Sequence, residues 1–205
     1  MPSVKTICVD FQINFSSRLG VAYRPRPCVD FIKSELIPYF RRHKLMLAEI
    51  VSDYRLPRPG DEFECCVPGT AGYESEIPKD IKYDPVLVKC MNSPVWTREN
   101  AGQTGKVPGL PYPNPSAFLE WLHRTIGRPD EVSAVVSIGL TIDCCVLCTG
   151  QELSYRAYPV RFLVEGVDAF SGDQAEKASI LKSPASNWGL PLNWVEFREL
   201  VEQSQ

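Results

Sequence analysis

The sequence predicts an α/β fold: three layers, α/β/α and Rossmann-like, around a central, mostly parallel sheet of about six strands. Two observations carry this reading. Short runs rich in β-branched residues alternate along the chain with amphipathic stretches, the pattern of a parallel sheet covered on both faces. Turn and cap signals fall between those runs. With 205 residues, no internal repeat and no linker, the expectation is one domain over 1–205.

The elements follow in order. A strand from about Val4 to Asp10 opens the chain and delivers Asp10 to its carboxyl end, where open α/β sheets place their sites; Asp10 as a turn or cap residue is the equal alternative. Ser16 to Pro27 reads as loop. Cys28 to Lys44 reads as a helix with Phe31, Ile32, Leu36 and Phe40 inward and a kink at Pro38. Met46 to Ser52 is a second strand, Asp53 to Gly60 a Pro- and Arg-rich loop, and Cys65 to Glu74 a turn-rich stretch. Pro85 to Lys89 is a third strand that carries Lys89 to the rim of the core. Asn92 to Pro115 reads as a long loop over the site. Asn114 and Pro115 open a helix with Phe118, Leu119, Leu122 and Ile126 inward. Val160 to Val167 is a strand leading to Asp168, and Gln174 to Leu181 a helix. Asn193 and Glu196 form a capping box for a last helix to about Val201.

Ala134 to Thr149 is the stretch around which the chain is organised. Ala134, Val135, Val136 and Ile138 form a buried strand that breaks at Gly139. Asp143 reads as the N-cap of a helix that carries Cys144, Cys145 and Cys148 to about Tyr155. A thiol in a helix's first turn faces unpaired N–H groups and the positive end of the dipole. Both favour thiolate, and the same N–H groups can hold an oxyanion. The equal alternative is three small thiols packing a core.

Composition narrows the function classes. A formal net charge of -3 gives no basic field for nucleic acid or an anionic membrane. No apolar run is long enough to span a bilayer, and the start, MPSVKTICVDF, has no export signal. Eight Cys in such a chain read as reduced thiols, so a cytoplasmic location is expected. Neither His43 nor His123 is placed as a base, which leaves a carboxylate to serve Cys145.

Five segments together resemble the isochorismatase-like cysteine hydrolases, the superfamily of nicotinamidases and N-carbamoylsarcosine amidohydrolases. They are Asp10-Phe11-Gln12-Ile13-Asn14-Phe15, Gly69-Thr70-Ala71-Gly72-Tyr73-Glu74, Lys89 with Ser93, Gly139 to Val146 with Thr149, and Val167-Asp168-Ala169. The resemblance implies a triad of Cys145 as nucleophile, Asp10 as acid/base and Lys89. It implies an oxyanion hole from the N–H groups of Thr141 and Cys145, a cis peptide between Leu140 and Thr141, and a substrate pocket touching Phe15, Gln12 and Leu140. The implied chemistry is hydrolysis of a C–N bond (amide, ureido or carbamoyl) in a small molecule through a thioester. A homodimer or homotetramer and no cofactor are implied as well. Lys89 and the helix start are expected to lower the Cys145 pKa below the ~8.5 of a free thiol.

Metal-binding nicotinamidases follow the second strand with an Asp and two His. Here Asp53 is followed by Tyr54, Arg55, Leu56, Pro57 and Arg58, so no metal is expected. Arg55 and Arg58 read as solvated loop residues, with a hold on a substrate carboxylate as the second reading. Three rival functions stand beside the hydrolase. Cys145 and Cys148 form a CxxC that a thiol–disulfide oxidoreductase would use. Cys65, Cys66, Cys145 and Cys148 would be the thiols of a structural zinc site. A non-catalytic member binding a small molecule is the third.

Overall fold

The computed structural model describes residues 3–183 and 187–204. Its main sheet holds β1 (Ser3–Val9), β2 (Ala48–Ser52), β3 (Leu87–Lys89), β6 (Val132–Leu140), β7 (Val160–Asp168) and β8 (Leu190–Leu192). A small antiparallel pair, β4 (Trp96–Thr97) and β5 (Tyr112–Pro113), stands apart. The sheet order is β3-β2-β1-β6-β7-β8, and every neighbouring pair is parallel. The order runs outward in both directions from β1 and β6. A crevice therefore opens beyond the carboxyl ends of those two strands, at Asp10 and Gly139.

Helices cover both faces, as the near-continuous burial of β1, β2 and β6 requires. On one face α4 (Pro115–Thr125) and α5 (Cys145–Ser154) pack Phe118, Leu122, Val146 and Leu153 against Ile7, Val9, Ile50 and Phe162. On the other, α2 (Pro27–Phe31), the π-turn Ile32–Leu36, α3 (Ile37–Arg42) and α7 (Trp194–Glu202) pack Ile32, Leu36, Phe40 and Phe197 against Cys8, Val136, Ile138 and Leu163. The short α1 (Ile13–Ser16) follows β1, and α6 (Gln174–Lys182) follows β7.

Local signals explain most boundaries. Asn114 caps α4 by accepting from the Ala117 N–H at 3.1 Å, and Pro115 opens it. Asn193 and Glu196 form their capping box at the start of α7. Gly139 lies where β6 crosses Val9, at φ 107°, and any Cβ there would collide with the Val9 carbonyl.

Several expectations need correction. The helix after the first loop starts at Pro27. It widens into a π-turn, Ile32–Leu36, just before Pro38, where the missing proline N–H would break the regular ladder. In α4 the inward places belong to Phe118, Trp121, Leu122 and Thr125. Leu119 is 38% exposed, and Trp121 donates to the Pro85 carbonyl at 2.8 Å. The long segment after Lys89 contains the β4–β5 pair. β8 supplies the sixth strand from a segment with no strand signal of its own. Residues 184–186 of that segment lie outside the described residues.

Candidate active site

Three strand ends meet at the crevice. Asp10 directly follows β1, Lys89 closes β3, and Cys145 opens α5 just past β6. Lys89 Nζ donates to Asp10 Oδ2 at 2.8 Å and lies 3.3 Å from Cys145 Sγ. Asp10 and Lys89 are 1% and 0% exposed, and Cys145 is 6% exposed at the floor of a cavity of about 400 Å³. Phe15, Leu140, Thr141 and Phe170 are among its walls.

Two neighbours join this cluster from the far end of β2. Ser52 Oγ donates to Asp10 Oδ1 at 2.8 Å and accepts from Lys89 Nζ at 2.8 Å. Tyr54 Oη accepts from Lys89 Nζ at 2.6 Å and lies 3.2 Å from Cys145 Sγ. Neither is visible as a site residue in sequence. Their signal is positional: β2 lies beside β1, with Ile50 opposite Val9, so the residues just beyond must flank Asp10. Asn92 adds a carbonyl oxygen 3.8 Å from the sulfur.

The charges follow from these contacts. Burial alone would lower the Lys89 pKa, but Asp10, Cys145 and Tyr54 outweigh it and raise it, so the amine stays cationic. Burial raises the Tyr54 phenol, reinforced by Cys145, so it keeps its proton. The Cys145 thiol is raised as well, first by its hydrogen bond to Cys144, then by burial and by Asp10, against the pull of Lys89. The sequence-based expectation of a lowered pKa is therefore corrected. Asp10 already engages the Lys89 charge, and Cys145 lends its proton to Cys144 Sγ, 4.0 Å away. Cys144, half-exposed, is lowered by the hydrogen bond it receives.

This arrangement has a direct test. Brief treatment with iodoacetamide near pH 7 should label Cys144 before Cys145. Cys145 labelling should keep rising with pH beyond the ~8.5 of a free thiol. Tandem mass spectrometry reads both sites. A Cys145 rate already level below pH 8 would contradict the raised thiol.

The turn before Cys145 is built differently from its sequence reading. Asp143 does not cap α5; Cys144 holds that position without a side-chain cap. The Asp143 carboxylate instead accepts from the Phe170 N–H at 3.1 Å and so tethers the loop after β7. The Thr141 carbonyl accepts from the N–H groups of Cys144 and Val146, both at 3.0 Å, on either side of Cys145. The Leu140–Thr141 peptide is cis.

Gln12 does not line the cavity. It is fully buried and spends its amide on the backbone: Nε2 donates to the Ser52 and Tyr73 carbonyls at 3.0 and 2.8 Å, and Oε1 accepts from the Ser52 N–H at 2.7 Å. It rivets the Gly69–Glu74 turn to the segment after Asp10. Asp168 is likewise structural, accepting from the Cys28 N–H at 2.7 Å and from Lys177 at 3.0 Å.

The two arginines of the loop after β2 part company. Arg55 is buried and forks onto Asp53 at 2.9 and 2.6 Å. It also donates to the carbonyls of Asn100, Gln103 and Lys106 at 3.0, 3.3 and 2.6 Å. It is not solvated and does not line the cavity. Asp53 also accepts from the Gly102 N–H at 2.9 Å, so its carboxylate is committed to Arg55 and this loop. These residues do not fit a zinc site of the nicotinamidase kind, since an arginine stands beside the one carboxylate. Arg58 lines the cavity.

The other thiols are scattered. No cysteine is in a disulfide among the described residues. The sulfur in contact with Cys145 is Cys144, not Cys148, and Cys65 and Cys66 contact each other at 3.7 Å. The four thiols of the zinc reading are not gathered.

No family model matches the chain, and no curated protein matches its sequence. Solved structures do resemble it. An isochorismatase family protein from Desulfovibrio vulgaris superposes with a TM-score of 0.68 at 16% identity, over 98% of this chain and 100% of that one. This chain has the isochorismatase-like hydrolase fold. The same fold is seen in a cysteine hydrolase from Pseudomonas syringae, with a TM-score of 0.64 at 14% identity over 98% and 93% of the two chains. N-carbamoylsarcosine amidase from Thermoplasma acidophilum gives 0.58 at 21%, over 93% and 96%. The isochorismatase-like fold thus spans nearly the whole chain. No helix among the described residues is long and apolar enough to cross a membrane.

Proposed function

We propose that this protein is a cysteine-dependent hydrolase that cleaves a C–N bond (amide, ureido or carbamoyl) in a small molecule through a thioester. The observation that carries the reading is Lys89 Nζ, held between Asp10 at 2.8 Å and Cys145 Sγ at 3.3 Å beneath the cavity.

The resting thiol is protonated, so attack and deprotonation belong to one step. Asp10 takes the Cys145 proton as Sγ bonds to the substrate carbonyl carbon. The N–H groups of Thr141 and Cys145 hold the resulting oxyanion. Asp10 returns the proton to the leaving nitrogen, the C–N bond breaks, and an amine or ammonia departs. Asp10 then deprotonates a water that attacks the thioester, and Sγ leaves to be reprotonated. Lys89 stays cationic throughout and steadies whichever of Asp10 and Sγ bears the negative charge. Tyr54 offers its phenolic proton to the departing thiolate. Phe15 and Leu140 form apolar walls for the substrate.

A screen of small amides, ureas and carbamoyl compounds for ammonia release tests the reading, with hydroxylamine added to capture an acyl-enzyme. At least one compound should release ammonia and give the corresponding hydroxamate. Ammonia release with no hydroxamate from any active compound would exclude the thioester, and no release from any compound would exclude the reaction class.

A further inference from the structure

We infer that Arg58 is the specificity determinant of this site, and that the substrate carries a carboxylate beside its scissile C–N bond. The inference rests on the hydrolase reading for the reaction but not for the binding it predicts. Arg58 stacks on the Tyr54 ring, with Cζ 3.5 Å from the centroid, and the Tyr54 hydroxyl lies 3.2 Å from Cys145 Sγ. The guanidinium and the Cys145 sulfur therefore contact the same Tyr54 side chain, the one on its ring and the other at its hydroxyl.

The guanidinium is available for such a group. Its Nε is ion-paired with Asp61, but its Nη1 is buried without a hydrogen-bond partner among the described residues. The side chain is 15% exposed. A buried donor left unpaired is costly, and an arginine fork suits a planar carboxylate. The remaining charges of the cavity sharpen the assignment. Asp10 is bound by Lys89, and Asp143 accepts from the Phe170 N–H. Among the charged groups that line the cavity, Arg58 is the cation; the others are carboxylates. Asp61 then acts as an internal competitor that a substrate carboxylate must match or displace.

Calorimetric titration of the full chain carrying Cys145→Ala, which removes turnover, tests this with two matched probes. Succinamate carries one amide and one carboxylate; succinamide carries two amides. Succinamate should bind roughly tenfold or more tightly, the scale of one charge-assisted contact. Adding Arg58→Gln should erase the preference, and Arg58→Lys should keep part of it. Adding Asp61→Asn should enlarge it, a change that loss of a merely structural ion pair would not produce. Equal binding of the two probes, or a preference unmoved by Arg58→Gln and Asp61→Asn, would overturn the assignment. Because binding is read without catalysis, failure of the ammonia screen and failure of this test are separate results.

Discussion

Replacing Cys145 with alanine should leave a folded protein whose turnover has fallen by at least about four orders of magnitude. The fold should survive because the sulfur lies at the cavity floor beside polar groups, where deletion removes one thiol and little packing. Turnover should not survive. Cys144 is 4.0 Å away from Cys145 Sγ, and it stands outside the ion pair that serves Cys145. Cys65 also lines the cavity, but it is tied to Cys66 and Asn14. Steady-state ammonia release and circular dichroism check the two halves. A folded variant retaining more than about 1% of wild-type turnover would remove Cys145 as the nucleophile.

Lys89→Met should destabilise the protein by about 3–5 kcal/mol in denaturant titration, besides stopping turnover. The ammonium sits at the centre of four groups: Asp10, Ser52, Tyr54 and Cys145. Taking it away strands a carboxylate that is 1% exposed. The loss measures mainly that stranded charge, so it should be relieved by a second change. Asp10→Asn with Lys89→Met should be more stable than Lys89→Met alone, because no charge is then buried. A single variant within about 1 kcal/mol of wild type, or a double variant less stable than the single, would mean that the pair is not desolvated as described.

The sheet and the placement of three candidate residues on it were legible for definite reasons. Asp10 and Lys89 could be placed at strand ends, where parallel sheets carry their chemistry, and Cys145 at a helix start, but only the resemblance to isochorismatase-like hydrolases joined the three into one site. Tyr54 and Ser52 were not legible, because their role depends on which strand lies beside β1, and order is not written in local pattern. Gln12 shows the converse. The resemblance implied contact with substrate, yet its side chain turns inward to the Ser52 and Tyr73 backbone. Asp143 reads as a cap because an Asp before a helix looks the same whether it serves that helix or a distant N–H. β8 has only three residues, one of them Pro191, too few for alternation to register.

The grip of Arg55 has a consequence for how this protein can change over evolutionary time. What it holds at Asn100, Gln103 and Lys106 are main-chain oxygens, which every residue type supplies. Arg98 does the same in return at the carbonyls of Arg55 and Pro57, at 2.6 and 3.3 Å. Much of the loop's position is thus set through its main chain rather than its side chains. Exposed positions such as Gln103 and Lys106 can be exchanged, by drift or by grafting, while Asp53 and Arg55 keep the segment in place; Asn100, Gly102 and Gly105, at positive φ, cannot be exchanged as freely. New surface chemistry on this loop can then be tried without disturbing the ion pair of Asp10 and Lys89, because no residue of 99–107 lines the cavity.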